Sequence, residues 1–160
     1  MRIAIIGNSG SGKSTLAKRF HVPMLDLDTV YWERGKIAVQ RDPAEAVAEV
    51  RAVRRTNKDW AIEDCYASLI EVALEFTPEL ILLDPGVDAC IRHCEARHWE
   101  PHKYASKQEQ DQHLAFLLEW VRGYYTRDGE MSLQSHEALY NSYAGPKRRI
   151  VELSTGEERQ

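Results

Sequence analysis

The sequence predicts an α/β fold of three layers, in which helices cover both faces of a five-stranded parallel sheet. Short apolar runs alternate along the chain with segments whose apolar residues recur at helical spacing. Strands that alternate with helices usually pair in parallel and build a sandwich of this kind. The 160 residues, 43% of them hydrophobic, are enough for one core. We therefore expect a single domain over residues 1–153 and a flexible tail over residues 154–160.

Five apolar segments are predicted to be strands. The first is rich in β-branched residues and stops at a glycine, which is typical of a buried parallel strand. Acidic side chains stand at or just beyond the ends of the second, third and fourth segments. The five segments are Arg2–Ile6, Val22–Asp26, Trp60–Ile62, Leu80–Leu83 and Ile150–Leu153.

Three longer segments have the spacing of helices. Asp42 is predicted to cap a helix that starts at Pro43, since an acidic N-cap and a proline at the first position both favour a helix start. The apolar face of that helix is expected to carry Ala44, Val47, Val50 and Val53. The predicted helices begin at Lys13, cover Pro43–Arg55 and cover Gln108–Tyr125.

The charge balance disfavours nucleic acid as the main partner without excluding it. The formal net charge is −4, whereas binding along a nucleic-acid backbone needs clustered Lys and Arg. Two short basic runs, Arg51–Arg55 and Lys147–Arg149, are better explained as solvated faces.

Cysteine usage and the lengths of the apolar runs indicate a cytoplasmic protein. The three cysteines are odd in number, and Met1 leads into the first predicted strand without a signal-peptide pattern. No apolar run approaches the roughly 20 residues that a membrane helix needs. We expect reduced thiols, no membrane contact, and a monomer or homodimer.

A phosphate-binding loop is the most specific motif of the chain. Gly7-Asn8-Ser9-Gly10-Ser11-Gly12-Lys13-Ser14 matches the Walker A pattern G-x-x-x-x-G-K-[ST] and stands between a predicted strand and a predicted helix. Its glycines let backbone N–H groups converge on phosphates at a helix N-terminus. We expect Lys13 to bridge the β- and γ-phosphates of a nucleotide and Ser14 to ligate magnesium, with Thr15 completing the nucleotide site.

A carboxylate is expected to hold magnesium on the opposite side. Glu63, Asp64 and Asp84 all follow predicted strands, where ligands of open α/β sheets bind. The residues alone leave the choice among these three acids open.

Four stretches together resemble the small nucleotide-kinase branch of P-loop proteins. They are Gly7–Ser14, Leu25–Trp32, Trp60–Tyr66 and Leu82–Pro85. The branch includes adenylate kinase and shikimate kinase, and the likeness is nearest to the bacterial "topology modulation" proteins. It spans roughly residues 1–125 and is strongest in the phosphate loop. The resemblance implies a P-loop NTPase fold of the nucleotide-kinase type.

The resemblance also implies roles for residues outside the loop. Asp28 falls where the family has an acid at the acceptor site, and Glu63 falls on the magnesium-side acid, which favours it over Asp84. Asp64 replaces a family glycine and would narrow the acceptor pocket. Arg92 matches the arginine at the entry to a mobile lid, where an arginine stabilises the transferring phosphoryl group. We expect a short lid near residues 97–106, in which Lys103 contacts phosphate.

Two further groups of residues allow a functional and a plain structural explanation. Cys90, Cys94, His98 and His102 recur every four residues, as zinc ligands on a helix do. On a straight helix they would span about 18 Å, too far for one ion, so buried thiols and solvated imidazoles are the better explanation. Tyr31, Trp32, Trp60 and Tyr66 could stack on an acceptor, although aromatic residues near strand ends are more often core.

These features predict an ATP-binding, magnesium-dependent kinase that phosphorylates a nucleotide, a nucleoside or another small hydroxylated acceptor. The alternative is a regulatory module that binds ATP, hydrolyses it slowly and controls contact with a partner. A third candidate, a kinase acting on a nucleic-acid end or an activated sugar, would rely on the two basic runs. ATP is preferred over GTP because the chain lacks an Asn-Lys-x-Asp element.

Overall fold

The computed structural model of the protein describes residues 1–36 and 38–153. Its centre is a parallel sheet of five strands in the order β2-β3-β1-β4-β5. The predicted α/β class is thereby confirmed. The tail predicted over residues 154–160 lies outside the described residues. The strands are β1 Arg2–Gly7, β2 Met24–Asp26, β3 Trp60–Asp64, β4 Glu79–Leu83 and β5 Lys147–Ile150.

Within the described residues, seven α-helices connect and cover these strands. They are α1 Lys13–Lys18, α2 Asp28–Tyr31, α3 Pro43–Thr56, α4 Ala67–Leu74, α5 Val87–Glu95, α6 Lys107–Arg122 and α7 Leu133–Ser142. A 3₁₀ turn at Gly123–Tyr125 follows α6. None of these helices is long and apolar enough to cross a membrane.

Alternating side chains of β1 pack into two separate cores, because successive residues of a strand point to opposite faces of the sheet. Ala4 and Ile6 belong to the larger core, which α3 and α4 complete with residues such as Val50 and Ile70. Ile3 and Ile5 lie in the smaller core. Leu16 and Ala17 of α1 close that second face. Burial on both faces explains why the strand sequences are continuously apolar.

The start of α3 agrees with the prediction, whereas its buried face is rotated. The Asp42 side chain accepts a hydrogen bond of 2.9 Å from the Ala44 backbone N–H, and Pro43 is the first helical residue. Ala46 and Val50 are fully buried, while Ala44 is exposed. The predicted face was wrong at Ala44 because this residue lies on the same side of the helix as the exposed Ala48 and Arg51, four and seven residues further on.

The last strand was predicted too late in the chain. It begins at Lys147 rather than Ile150 and, in the described part of the chain, pairs only with β4. Three basic residues are tolerated there because an edge strand can send long side chains to partners outside the core. The predicted helix ending at Tyr125 likewise ends at Arg122, where the chain tightens into the 3₁₀ turn.

Candidate active site

The phosphate loop joins the end of β1 to the start of α1, in the strand–loop–helix setting that the motif requires. Gly10 has φ 76° and Gly12 has φ 97°, a left-handed conformation that residues with a Cβ rarely adopt. At Gly7 the limit is steric, since a Cβ there would overlap the Leu83 carbonyl oxygen and lie 2.9 Å from Ser11 Oγ. The three glycines are therefore each needed for the path of the loop.

Helices α5 and α6 hold this loop from outside the motif. His93 Nδ1 lies 2.6 Å from the Gly10 carbonyl oxygen. The Asn8 amide donates a hydrogen bond of 3.1 Å to the Val121 carbonyl. A Cβ on Gly10 would lie 2.6 Å from Cys94 Sγ. No sequence pattern indicates these contacts, because each connects the loop to a helix more than 80 residues away.

Lys13 is directed into the loop rather than into solvent. Its ammonium donates a hydrogen bond of 2.8 Å to the Asn8 carbonyl, and the residue is only 8% exposed. The Ser11 hydroxyl and the Asn8 amide oxygen are buried and have no hydrogen-bond partner among the described residues. Buried polar atoms without partners are costly, so this loop is a polar cradle that suits a ligand.

Ser14 and Glu63 meet at the mouth of the loop. The Ser14 hydroxyl donates a hydrogen bond of 2.6 Å to Glu63 Oε1. Glu63 is the fourth residue of β3 and is 2% exposed. Burial raises the pKa of Glu63, although the Lys13 ammonium and the Ser14 hydroxyl act in the opposite direction.

Asp84, one of the three competing acids, is engaged elsewhere. It follows β4, accepts a hydrogen bond from the Tyr125 hydroxyl and pairs with Arg149 at 2.6 Å. Neither contact lies in the loop. Of Glu63 and Asp84, only Glu63 contacts Ser14.

Asp26, Asp28 and Asp64 form an acidic cluster beside the loop. One carboxylate oxygen from each lies within 4.8 Å of the others. The Asp28 backbone N–H donates to Asp26 at 2.9 Å and to Asp64 at 3.0 Å, which ties the end of β2 to the end of β3. Burial, followed by the charge of Asp28, raises the pKa of Asp64 well above its usual value.

Both carboxylate oxygens of Asp28 have partners. Tyr66 donates its hydroxyl hydrogen to Oδ1, and the Lys103 ammonium lies 3.1 Å from Oδ2. Lys103 also lies 3.7 Å from Glu100. Burial alone raises the pKa of Asp28, but Lys103 and Tyr66 together bring this pKa below its usual value. Asp28 is thus held as a carboxylate.

The four aromatic residues noted in the sequence divide into two sets. Tyr31 stacks on Tyr66 with ring centroids 4.0 Å apart, and the Trp32 indole donates a hydrogen bond of 2.7 Å to the Tyr66 hydroxyl. These three rings form one wall next to Asp28. Trp60 is instead fully buried in the larger core, as the structural explanation expects.

Arg92 and the predicted lid lie on the α5 side of the loop. Arg92 is exposed on α5, and its side chain makes no hydrogen bond or ion pair with any residue in the described part of the chain. The lid segment, residues 97–106, is a short irregular connection between α5 and α6. Of the residues with zinc-like spacing, Cys90 and Cys94 pack against Val121, whereas His98 and His102 are exposed beyond the end of α5.

The basic run on β5 is occupied by partners within the protein. The Lys147 ammonium donates hydrogen bonds to three carbonyl groups at the end of α7, so it is not available to line an open groove. Arg148 pairs with Glu79 at 2.9 Å, and Arg149 pairs with Glu137 at 2.9 Å. Lys147 and Arg149 therefore hold the sheet edge to α7, and Arg148 links it to β4.

The fold is that of the P-loop kinases. A crystal structure of shikimate kinase from Bacteroides thetaiotaomicron matches with a TM-score of 0.52 and 19% identity, over 96% of this chain and 89% of that chain. Two other solved structures match less well. A sugar kinase from Janibacter sp. HTCC2649 gives a TM-score of 0.48 at 10% identity, covering 93% of this chain and 83% of that one. Deoxyadenosine kinase from M. mycoides with bound dATP gives a TM-score of 0.44 at 14% identity, covering 97% of this chain and 93% of that one.

No protein-family model and no curated protein sequence matches the chain. The shikimate kinase structure confirms the resemblance to P-loop kinases at the level of the fold. The finer likeness to the topology modulation group stays a prediction.

Proposed function

We propose that the protein is an ATP-dependent kinase that transfers the γ-phosphoryl group to the hydroxyl of a small acceptor. One observation carries this proposal. The Ser14–Glu63 contact at the phosphate loop and the carboxylate of Asp28 lie at the same edge of the sheet, at the ends of neighbouring strands. A donor site and an acceptor acid side by side are what phosphoryl transfer between two bound molecules needs.

The loop would hold the phosphates of ATP. Its N–H groups and the Ser11 hydroxyl supply donors, and Lys13 supplies a positive charge that can turn from the Asn8 carbonyl to the β- and γ-phosphates. Arg92, whose exposed side chain has no partner among the described residues, would reach the phosphates from α5. The proposed nucleotide site consists of Gly7, Asn8, Ser9, Gly10, Ser11, Gly12, Lys13, Ser14, Thr15 and Arg92.

Ser14 and Glu63 would hold magnesium. A hydroxyl and a carboxylate oxygen 2.6 Å apart are a hard oxygen donor set, which suits this ion. Bound magnesium would neutralise charge on the β- and γ-phosphates. Glu63 is favoured over Asp84 because Arg149 and Tyr125 already occupy the Asp84 carboxylate.

Asp28 would act on the acceptor. The acceptor oxygen forms a bond to the γ-phosphorus while the bond from that phosphorus to the β–γ bridging oxygen breaks, and ADP leaves. The hydroxyl proton passes to the Asp28 carboxylate, which is ionised in the resting protein. Lys13 and Arg92 offset the charge that spreads over the moving phosphoryl oxygens.

The alternative, a regulatory module with slow hydrolysis, rests on a different observation. Tyr66 and Lys103 occupy both oxygens of Asp28, and Asp64 fills the place of the family's glycine. With both Asp28 oxygens engaged, the site would favour binding of the nucleotide over transfer of its phosphoryl group. The three free, buried cysteines suit a reducing compartment under either proposal.

The deciding assay measures ADP release from ATP and magnesium, with nucleosides, nucleotides and small hydroxylated metabolites added singly. Lys13→Ala serves as the blank, and Lys18→Ala, an exposed lysine at the end of α1, is the matched control. We expect at least tenfold stimulation by one acceptor, lost in Lys13→Ala and kept in Lys18→Ala. Tight ATP binding without stimulation by any acceptor would favour the regulatory module.

A further inference from the structure

In the resting protein, both oxygens of the proposed acceptor acid, Asp28, already have a partner. A carboxylate that is to accept a proton from a substrate hydroxyl must offer that hydroxyl an oxygen. In this structure Oδ1 of Asp28 accepts the Tyr66 hydroxyl, and Oδ2 lies 3.1 Å from the Lys103 ammonium. Each oxygen of an ionised carboxylate can accept a second hydrogen bond, so a substrate hydroxyl either shares an Asp28 oxygen with one of these partners or replaces that partner.

Tyr66 is the partner that is fixed. It is 3% exposed, it stacks on Tyr31 at 4.0 Å, and it accepts the indole hydrogen of Trp32 at 2.7 Å. Moving the Tyr66 hydroxyl would break this aromatic packing and leave a buried polar group unpaired.

Lys103 is the partner that can leave. Its side chain is 29% exposed, and its second partner, Glu100, belongs to the same lid segment. The backbone of that segment is tied to α6 through Gln110, which accepts from the Glu100 N–H and donates to the His98 carbonyl. Within residues 1–36 and 38–153, the Lys103–Asp28 pair is the one polar contact from the lid segment to α2.

We propose that Lys103 is an exchangeable lid cation, which pairs with Asp28 in the resting protein and is replaced there by the hydroxyl of a neutral or cationic acceptor. This inference rests on the proposed kinase function. Lys103 is here a positioning residue, because it acts on the acceptor through Asp28.

The exchange determines which acceptor charge the site favours. The incoming group takes a place that an ammonium fills, next to the carboxylates of Asp26 and Asp64. The carboxylates of Asp26, Asp28 and Asp64, whose oxygens lie within 4.8 Å of one another, would repel any further anion placed there. Polyols, sugars, amino sugars and nucleosides therefore fit this site better than their phosphorylated or carboxylated counterparts.

Hydrogen exchange tests the contact itself, without any need for turnover. The amides of residues 98–106 are followed in the unmodified protein, Lys103→Met, Asp28→Asn and the double variant. We expect exchange to accelerate at least fivefold in each single variant and no further in the double variant, since both remove one interaction. Lys107→Met removes an exposed lysine paired with Asp111 and should change nothing. Additive effects in the double variant, or equal acceleration in Lys107→Met, would overturn the proposal.

Pairs of matched acceptors test both the exchange at Asp28 and the proposed preference for a neutral or cationic acceptor. ADP release is compared for adenosine against AMP, ribose against ribose 5-phosphate, and glucosamine against glucosamine 6-phosphate. We expect the neutral or cationic member to have at least tenfold higher kcat/KM. Lys103→Met should lower the KM for that acceptor, because the competing ammonium is gone, and Lys103→Arg should restore it. A phosphorylated member that is used equally well, or an unchanged KM, contradicts the inference.

A failure of the kinase proposal can be distinguished from a failure of the proposal about acceptor charge. If no acceptor stimulates ADP release, the same pairs are tested for raising the Tm of the protein with ADP and magnesium present. Stabilisation by the neutral or cationic members alone would support the charge class. Equal stabilisation by the phosphorylated members, or none by any member, would overturn it.

Discussion

The Ser14 hydroxyl donates a hydrogen bond of 2.6 Å to Glu63, joining the first turn of α1 to the end of β3. Glu63→Gln should therefore weaken binding of ATP with magnesium at least tenfold, since it removes the charge of a proposed ligand. Titration calorimetry with and without magnesium measures this effect. The Tm should not fall, because the change also removes a buried charge. Glu71→Gln, at an exposed glutamate of α4, is the control. An equal loss of affinity in Glu71→Gln, or no loss in Glu63→Gln, would contradict the assignment of Glu63 as a magnesium ligand.

Asp84→Asn should behave differently from Glu63→Gln. Asp84 pairs with Arg149 and accepts from Tyr125, so its removal should lower the Tm by weakening the link between β4 and β5. The Kd for ATP with magnesium should change less than threefold. A large loss of magnesium-dependent affinity in Asp84→Asn would make Asp84 the magnesium-side acid instead.

Gly10→Ala should disrupt the loop by more than backbone strain. Both Gly10 and Gly129 have positive φ, at 76° and 93°, and a Cβ in this conformation costs about 1–2 kcal/mol. At Gly129 a Cβ would meet no atom of the described residues within 4 Å, whereas at Gly10 it would overlap the Cys90 carbonyl and crowd Cys94 Sγ. Urea unfolding should show a larger loss of stability for Gly10→Ala than for Gly129→Ala. Only Gly10→Ala should lose ATP binding, and equal behaviour of the two variants would refute the steric argument.

A buried histidine should make stability depend on pH. His136 is fully buried, with Nδ1 2.7 Å from the Tyr124 hydroxyl and Nε2 2.7 Å from the Cys65 carbonyl oxygen. Burial lowers the pKa of His136 to about 4 from the usual 6.5. Below pH 6.5 the unfolded chain takes up a proton that the folded protein resists, so stability falls as the pH falls toward 4.

The predicted loss is about 2–3 kcal/mol between pH 7 and pH 4.5. Urea unfolding across this range measures it. His136→Gln should be less stable at pH 7 and should lose this part of the pH dependence. His102→Gln, at an exposed histidine, should keep it. A pH dependence that is identical in His136→Gln and the unmodified protein would show that another group is responsible.

Features that are local in sequence were predicted well. The phosphate loop is one continuous motif, and the strand before it and the helix after it follow from their own composition. The start of α3 at Pro43 is equally local, because Asp42 caps it through its neighbour Ala44. Such features depend on a few adjacent residues and need no knowledge of the rest of the fold.

Features that depend on long-range contacts were missed. The sequence placed Asp28 and Lys103 in separate roles, yet the two side chains form one ion pair. The engagement of Asp84 by Arg149 was hidden for the same reason, since β5 and β4 are brought together only by the sheet. The position of β5 was misjudged because an edge strand rich in Lys and Arg lacks the apolar pattern by which strands are recognised.

The most direct test of the central claim is ³¹P NMR of the unmodified protein with ATP, magnesium and each acceptor. A kinase should produce ADP together with a new phosphate-ester resonance from the acceptor, and Asp28→Asn should lose this product while its affinity for ATP stays within threefold. Inorganic phosphate as the sole product, whatever acceptor is present, would contradict the kinase assignment.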